Sequence, residues 1–309
     1  MTSSLSGYVA NTDYEWYRFL SEQPQLDEVN FWQPSGGRAF RAVSPAAPFF
    51  FKLKSPHYKI AGFGYFARHS IEPSWNAWEA FGTANGAPDF ASMQERIERL
   101  RRGPSDRSGG YKIGCIMIAQ PTFFKTDQWI DQPNDFHRAI QQGATYDLTE
   151  GEGKRIWEEC LLRARGEDVG VAQVASNRFG APTLIVPRRG QGIFKIGVTS
   201  AYGRACAVTG EHSLPALEAA HILPYAEGGE HHISNGLLLR SDIHRLFDKG
   251  YVTVTPDYRF NVSKRLKEDF DNGRSYQPFD KKPIHVPELA RDRPDANLLD
   301  WHNTQRFLG

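Results

Sequence analysis

The stretch from Cys206 to Lys249 constrains the fold of this chain most, because five of the chain's ten histidines lie in it. His221 lies in an apolar run, residues 217–223, that is typical of a buried strand. A polar, glycine-rich loop follows. Asn235, a good helix N-cap, then opens a segment in which apolar residues recur with helical spacing, so His244 is predicted about two and a half turns into a helix.

This order of residues resembles the HNH nuclease family, and AAHILPYAEGGEHHISNGLLLRSDIHRLFDKG carries the resemblance. The family has a ββα-metal unit with a histidine on the first strand, an asparagine near the helix start and a histidine on the helix. The resemblance covers about 45 residues, or about 65 with the upstream RRGQGIFKIGVTSAYGRACAVTG. It implies that His221 is the general base, that His244 binds a divalent metal ion, and that Asn235 holds His221 in orientation.

The predicted metal site departs from the family pattern at one position. Many HNH nucleases place an aspartate directly before the base histidine, and this chain has Ala220 there. Glu218 and Asp242 are the carboxylates predicted to join His244, although strand alternation puts Glu218 on the face opposite His221. Asp248 is another oxygen donor nearby, so the second ligand stays open. Mg²⁺ or Mn²⁺ is the expected cofactor, and Ni²⁺ or Zn²⁺ also suits such ligands.

Cysteine usage excludes one variant of this domain. A structural zinc held by four cysteines cannot form within a chain that has only Cys115, Cys160 and Cys206. The three are scattered and give no disulfide framework, which fits a reducing cytoplasm. Cys206 is predicted to be a small buried apolar residue.

Charge and hydropathy limit the partners. The net charge is +1, so nucleic acid must be met by local basic patches. Arg188, Arg189, Arg240 and Arg245 are the predicted contacts to the DNA backbone. The chain lacks a run of about 18 apolar residues and an apparent secretion signal, so a cytoplasmic protein with no membrane partner is expected.

The composition shifts along the chain. Six of seven tryptophans and thirteen of twenty phenylalanines precede residue 160. We therefore predict an aromatic domain at 1–150, a connector with a helix at 151–185, and the nuclease domain at 186–309. The overall class is predicted to be α+β.

The aromatic part is predicted to contain strands at 49–54, 60–70 and 111–124 and helices over SWNAWEAFG and FASMQERIERLRR. The segments FWQPSGG, FFFKLKSPHYKIAGFGYF, WNAWEAFG and IGCIMIAQPTFF resemble the PUA-like superfamily, which includes EVE, ASCH, YTH and SRA domains. That resemblance implies a small β-barrel that holds a modified or flipped base in an aromatic pocket. The predicted pocket residues are Trp32, Ser35, Lys52, Trp75, Asn76, Trp78, Asp127 and Trp129.

Together the two resemblances predict a modification-dependent restriction endonuclease that acts on double-stranded DNA carrying a modified base. Cutting a duplex requires two cuts, so a homodimer is expected. Two alternatives stay open. The first domain could bind a nucleotide messenger or RNA that activates the nuclease, or the protein could be a catalytically inactive DNA-binding protein.

Overall fold

The computed structural model of the chain describes residues 5–24, 26–37, 39–101, 110–164, 190–271 and 273–309. The chain divides into two compact units, Met1–Gly190 and Gln191–Gly309. Both contain helices and strands, which confirms the α+β class. Arg188 and Arg189 lie outside the described residues. The predicted functions and limits of the domains stay predictions.

One mixed sheet of seven strands organises the first unit. The strands are β1 (Ser6–Thr12), β2 (Glu28–Gln33), β3 (Pro48–Leu53), β4 (Lys59–Pro73), β5 (Lys112–Phe123), β6 (Ile130–Asp131) and β7 (Gly143–Asp147). Their order is β2-β5-β4-β3-β1-β7, and β6 pairs with β4. Only the pair β1–β3 is parallel among the strand pairs of the described residues. The strands predicted in the aromatic part correspond to β3, β4 and β5.

Among the described residues, four α-helices accompany this sheet: α1 (Tyr14–Ser21), α2 (Ser74–Phe81), α3 (Phe90–Leu100) and α4 (Gly151–Ala164). Asp13 caps α1, because its carboxylate accepts hydrogen bonds from the backbone N–H groups of Glu15 and Trp16. The predicted helices over SWNAWEAFG and FASMQERIERLRR correspond to α2 and α3.

Both faces of the sheet are covered, and β3 shows this directly. Phe49, Phe50 and Phe51 are consecutive, so they alternate between the faces, yet all three are fully buried. Phe51 packs on Trp16 of α1 with 5.3 Å between ring centroids, and Phe50 packs on Trp157 of α4 at 6.1 Å. Helix α4, which the sequence placed in a connector, is thus part of the core of the first unit.

Strand β4 is long and irregular. Its register with β5 shifts between Phe63 and Tyr65, as a bulge requires. Gly62 has a φ of +157°, and a Cβ at this position would lie 2.2 Å from the backbone oxygen of Thr122. Both observations show why glycine is needed here: the strand bulges and another backbone approaches closely.

The second unit begins with helix α5 (Gln191–Ala201) and continues with β8 (Leu217–His221), β9 (Gly236–Arg240) and α6 (Ser241–Asp248). Strands β8 and β9 are antiparallel, with His221 opposite Gly236. A second hairpin follows, formed by β10 (Val252–Val254) and β11 (Phe260–Val262). The unit ends with α7 (Arg265–Phe270) and α8 (Ala296–Gln305). The order β8-β9-α6 is a ββα unit.

The prediction that the helix begins at Asn235 is wrong. Leu237, Leu238 and Leu239 belong to β9, and the helix begins at Ser241. All three leucines are buried, so the strand is covered on both faces. A short continuous apolar run of this kind has no periodicity that separates a buried strand from a buried helix. Asn235 ends a 3-10 turn and is not a helix cap.

The cysteines agree with the sequence-based interpretation. Cys115, Cys160 and Cys206 are free and buried. The sulfur of Cys206 lies 3.4 Å from the backbone nitrogen of Arg240, inside the core beneath the ββα unit. Among the described residues, no helix is long and apolar enough to cross a membrane.

Candidate active site

The ββα unit brings the three motif residues to one place. His221 is the last residue of β8, Asn235 directly precedes β9, and His244 lies in the middle of α6. His221 and His244 line a cavity of about 470 Å³. Other lining residues are Phe194, Lys195, Glu218, Tyr225, Asp248, His302 and Arg306.

His221 is held between an aromatic ring and a second histidine. The ring of Phe194 stacks on the imidazole with 3.8 Å between centroids and an interplanar angle of 13°. Nε2 of His221 lies 2.9 Å from Nδ1 of His231. Burial, followed by the proximity of His231 and His244, lowers the pKa of His221 to about 4. The imidazole is therefore neutral near pH 7.

Asn235 closes the loop that follows β8. Its Oδ1 accepts a hydrogen bond from the backbone N–H of Leu223, and its Nδ2 donates to the backbone oxygens of Leu223 and Glu230, all at 2.9 Å. Its backbone oxygen accepts from Ile222, the residue after His221. A Cβ on Gly229 would lie 1.9 Å from the oxygen of Leu223, so only glycine fits against this clamp. Asn235 therefore positions the chain on both sides of the loop.

His244 lies between two carboxylates. Its Nδ1 is 2.6 Å from Oε2 of Glu218 on β8, and its Nε2 is 3.5 Å from Oδ2 of Asp248, one turn further along α6. The arrangement offers nitrogen and oxygen donors next to each other. Within the described ranges, no group of three or more His, Cys, Asp or Glu side chains is arranged to hold a metal ion.

Asp242, predicted as a metal ligand, is placed elsewhere by the structure. Its carboxylate accepts two hydrogen bonds from the guanidinium of Arg240, at 2.8 and 2.7 Å, and one from the hydroxyl of Tyr276 at 3.1 Å. These hydrogen bonds lower its pKa to about 2. Asp242 is thus engaged at the start of α6 and is not among the residues that line the cavity, whereas Asp248 lies beside His244.

The cations at the cavity are not those that the sequence singled out. Lys195 of α5 and Arg306, which follows α8, line it. Arg306 forms an ion pair with Glu227. Arg240 is engaged by Asp242, and Arg245 is exposed on α6. Neither arginine is among the described residues that line the cavity.

In the first unit, the eight predicted pocket residues fall into two groups at opposite ends of β4. Lys52 pairs with Ile60 near the start of β4, where Trp129 and Asp127 adjoin Ile130, itself opposite Ile60. The other five residues adjoin the far end of β4. Trp75, Asn76 and Trp78 lie on α2, which directly follows β4. Trp32, with Ser35 shortly after it, pairs with Cys115 of β5, and Cys115 pairs with Ser70 near the end of β4. Thirteen residues of extended strand span up to about 40 Å. The eight residues therefore divide between the two ends of β4, and their part in base recognition stays a prediction.

The group near the start of β4 combines a buried cation with aromatic rings. Nζ of Lys52 donates a hydrogen bond to Oδ1 of Asn11 at 2.9 Å and lies 4.4 Å from the ring centroid of Phe136 and 5.4 Å from that of Tyr58. Burial, and then the charge of Lys54, lower the pKa of Lys52.

Trp129 extends this group. Its indole N–H donates to the hydroxyl of Tyr17 at 3.0 Å, and its ring lies 5.2 Å from His57, which in turn lies 4.5 Å from Tyr14. Tyr14 and Tyr58 are among the most exposed large apolar residues that the structure describes. Asp127 is exposed on the neighbouring turn.

The five residues at the far end are mostly engaged within the unit. The indole N–H of Trp32 donates to the backbone oxygen of Asn85 at 3.0 Å. Asn76 is buried and donates to Oε2 of Glu72 at 3.0 Å. Trp75 and Trp78 are half-buried on α2, and Ser35 is exposed.

Comparison with known proteins places the ββα unit in a family. A family model described as HNH endonuclease matches residues 206–255, which contain β8, β9, α6 and β10. This confirms the HNH resemblance, and the chain carries an HNH endonuclease domain in its second unit. No curated protein matches the chain.

Solved structures give weaker likenesses. The ASCH protein from Zymomonas mobilis is 12% identical, with 49% of this chain and 93% of that chain covered and a TM-score of 0.32. A serine-to-alanine mutant of that protein is 12% identical, with 50% and 95% covered and a TM-score of 0.33. The modification-dependent restriction endonuclease TagI is 14% identical, with 98% and 81% covered and a TM-score of 0.28. These TM-scores are too low to assign a function, and the HNH match and the geometry of the site are the evidence for one.

The sequence indicated one of the residues near His244, because Asp248 is four residues further on and so shares a helix face with it. Other residues near the site carried no signal. His231 meets His221 only through the way the loop closes, and Phe194 and Lys195 on α5 and Arg306 directly after α8 are distant in sequence.

Proposed function

We propose that this protein is an endonuclease that recognises a modified base in double-stranded DNA and hydrolyses the phosphodiester backbone. One observation carries the proposal. A half-buried neutral imidazole, a histidine flanked by carboxylates, and two cations line a single cavity within the HNH endonuclease domain.

The general base in this proposal is His221. A neutral imidazole can take a proton from water, and the lowered pKa of His221 keeps it neutral across the physiological range. The attacking oxygen then adds to phosphorus and the 3′ oxygen departs. Phe194 and Asn235 contribute by fixing the ring and the loop that carry the base.

The donor set beside His221 fits a divalent metal ion. We assign Nε2 of His244 and the carboxylate of Asp248 as ligands, with Glu218 hydrogen-bonded to Nδ1 of His244 and orienting the ring, an arrangement common around metal-bound histidines. Water and phosphate oxygens would complete the coordination, as Mg²⁺ and Mn²⁺ prefer. A bound ion would polarise the phosphoryl oxygen and neutralise charge on the leaving oxygen.

Two cations support the placement of phosphate in the cavity. Lys195 and Arg306 are positioned to contact phosphate oxygens, and Arg306 would exchange its ion pair with Glu227 for one with phosphate. A homodimer, or two bound molecules, would supply the two cuts that a duplex break requires.

The reader of the modified base is assigned to the group around Lys52 and Trp129. Exposed aromatic rings can stack on a flipped base, because every base has a π-face, and stacking is worth roughly 1–3 kcal/mol per base. Tyr14 and Tyr58 supply such rings. Tyr58 lies beside the buried cation of Lys52, and the half-buried ring of His57 packs against Tyr14. The far end of β4 offers no comparable exposed rings among the described residues.

The test of the activity is a cleavage assay on matched plasmids, unmodified or carrying methylated or hydroxymethylated cytosine, with Mg²⁺, Mn²⁺, Ni²⁺ or Zn²⁺. We expect cutting of modified DNA only, and none by His221→Ala. Equal cutting of every plasmid would support the nuclease activity but contradict recognition of a modified base. It would favour a nucleotide messenger or RNA as the ligand of the first unit. Binding without any cutting by the unmutated protein would favour an inactive DNA-binding protein.

The location of the reader is tested separately by fluorescence anisotropy with modified and unmodified duplexes. Tyr58→Ala should reduce the preference for modified DNA about tenfold, as expected for the loss of one stacking contact. Trp75→Phe, at the far end of β4, is the matched control and should keep the preference. The reverse pattern would move the reader to the far end.

A further inference from the structure

Next to His221 lies a second histidine that the proposed mechanism does not use. His231 lies in the loop between β8 and β9, ten residues after His221, and its Nδ1 is 2.9 Å from Nε2 of His221. Both rings are held from outside. Phe194 stacks on His221 at 3.8 Å, and Tyr225 stacks on His231 at 4.7 Å with an interplanar angle of 6°.

The loop clamp determines the placement of both histidines. Asn235 accepts through its backbone from Ile222, directly after His221, and donates through its side chain to Glu230, directly before His231. The contact between the two rings is therefore built into the closed loop.

A hydrogen bond between two neutral imidazoles contains one proton, and only one of its two directions leaves His221 able to act as a base. If Nδ1 of His231 donates, Nε2 of His221 accepts and Nδ1 of His221 carries the ring proton, so no lone pair remains for water. If Nε2 of His221 donates, its Nδ1 is bare and can accept a proton.

We propose that His231 is a positioning residue that accepts a hydrogen bond from Nε2 of His221 and so holds the base in the tautomer with a bare Nδ1. This inference rests on the proposed function of the same site. When water transfers a proton to Nδ1, His221 becomes an imidazolium and keeps its Nε2 proton. The hydrogen bond to His231 is then charge-assisted and stronger, so His231 stabilises the protonated base.

The first test reads the tautomer directly and needs no activity. Long-range ¹H–¹⁵N spectra of the full chain, with ¹⁵N-labelled histidine, distinguish a protonated from a bare ring nitrogen. We expect Nε2–H and a bare Nδ1 for His221 in the unmutated protein. We expect a mixture of tautomers in His231→Phe, which keeps a ring against Tyr225 but removes the acceptor. A His221 that carries its proton on Nδ1 would overturn the proposal.

The second test measures cleavage by matched variants. His231→Phe should lower kcat about a hundredfold, the scale of a misplaced catalytic group, with KM and the thermal midpoint unchanged. His231→Asn places an amide oxygen near the position of Nδ1 and should recover most of the loss. His232→Phe is the control, because this neighbour is exposed and paired with Glu230.

The outcomes separate the two proposals. If the unmutated protein does not cut, the proposed function fails, while the spectra still decide the tautomer. If the protein cuts and His231→Phe cuts equally well, or if His231→Asn is no better than His231→Phe, the positioning role is overturned.

Discussion

The side-chain amide of Asn235 forms a hydrogen bond with each polar group of the Leu223 backbone, one through its oxygen and one through its nitrogen. A third bond ties it to Glu230. Asn235 is almost fully buried and does not line the cavity. The middle residue of the motif therefore holds the loop between His221 and His231, and does not itself line the cavity.

Replacing Asn235 with aspartate should destabilise the second unit. The carboxylate keeps an acceptor for the N–H of Leu223 but cannot donate to the partly buried oxygens of Leu223 and Glu230, which would lose this donor. Each such group costs about 1–3 kcal/mol, so we expect a loss of about 2–6 kcal/mol in the free energy of unfolding, measured by urea denaturation. Asn297→Asp, on the surface at the start of α8, should change it by less than about 0.5 kcal/mol. Equal stability of Asn235→Asp and the unmutated protein would contradict the clamp.

The motif residues were predictable because family spacing fixes which residues meet, even where the secondary structure was assigned wrongly. His221 and His244 reach one cavity although Leu237 to Leu239 form a strand where a helix was expected. The partner of His221 was not predictable. His231 meets it only because Asn235 closes the intervening loop, and such non-local closure leaves no periodic signal in the sequence.

The first unit shows a similar division. Its buried strands were visible as apolar runs, but β1 was missed, although it lies between β3 and β7 in the sheet. Its sequence, SGYVANT, is short and flanked by polar residues. Residue types alone do not reveal that Lys52 and Trp75 adjoin opposite ends of one long strand, so the sequence could not show which predicted pocket residues lie near each other.

The metal site gives a prediction that separates a ligand from an orienting residue. Asp248→Asn should abolish measurable Mn²⁺ binding in calorimetry, because it removes a carboxylate ligand. Glu218→Gln should weaken binding about 10–100-fold, as expected for a residue that orients a ligating histidine. Asp242→Asn should leave the affinity for Mn²⁺ unchanged, since that carboxylate is engaged by Arg240 and Tyr276. If Asp242→Asn reduced the affinity for Mn²⁺ more than Asp248→Asn did, Asp242 would be the metal ligand, as predicted from the sequence.

His302 predicts how stability responds to acid. It is buried, and its Nδ1 and Nε2 contact the hydroxyl of Thr253 at 2.8 Å and the backbone oxygen of Phe247 at 3.1 Å. Burial lowers its pKa from 6.5 to about 4. In the unfolded chain this histidine binds a proton below about pH 6.5, whereas in the folded protein it stays neutral until about pH 4. The free energy of unfolding is therefore unaffected by this group above pH 6.5 and decreases as the pH drops. The loss reaches about 3 kcal/mol near pH 4.

The measurement for His302 is urea unfolding between pH 7 and pH 4, compared with His302→Gln. The variant keeps a donor for Phe247 but has no titrating ring, so the free-energy difference between the two proteins should shrink as the pH falls. A difference that stays constant over this range would show that His302 titrates alike in the folded and unfolded states.

Salt dependence of DNA binding distinguishes two sets of phosphate contacts: Lys195 and Arg306 at the cavity, and the arginines predicted from the sequence, such as Arg245. Each contact between a cation and a phosphate releases counterions, so the affinity falls as the salt concentration rises. Losing one contact decreases the magnitude of the slope of log affinity against log salt concentration by about 1. We expect this decrease for Lys195→Gln and for Arg306→Gln, measured by anisotropy with a modified duplex and no divalent metal. Arg291→Gln, an exposed arginine outside the cavity, should keep the full slope. A decrease for Arg245→Gln with none for the two cavity variants would place the DNA backbone along the outer face of α6, because Arg245 is exposed there and does not line the cavity.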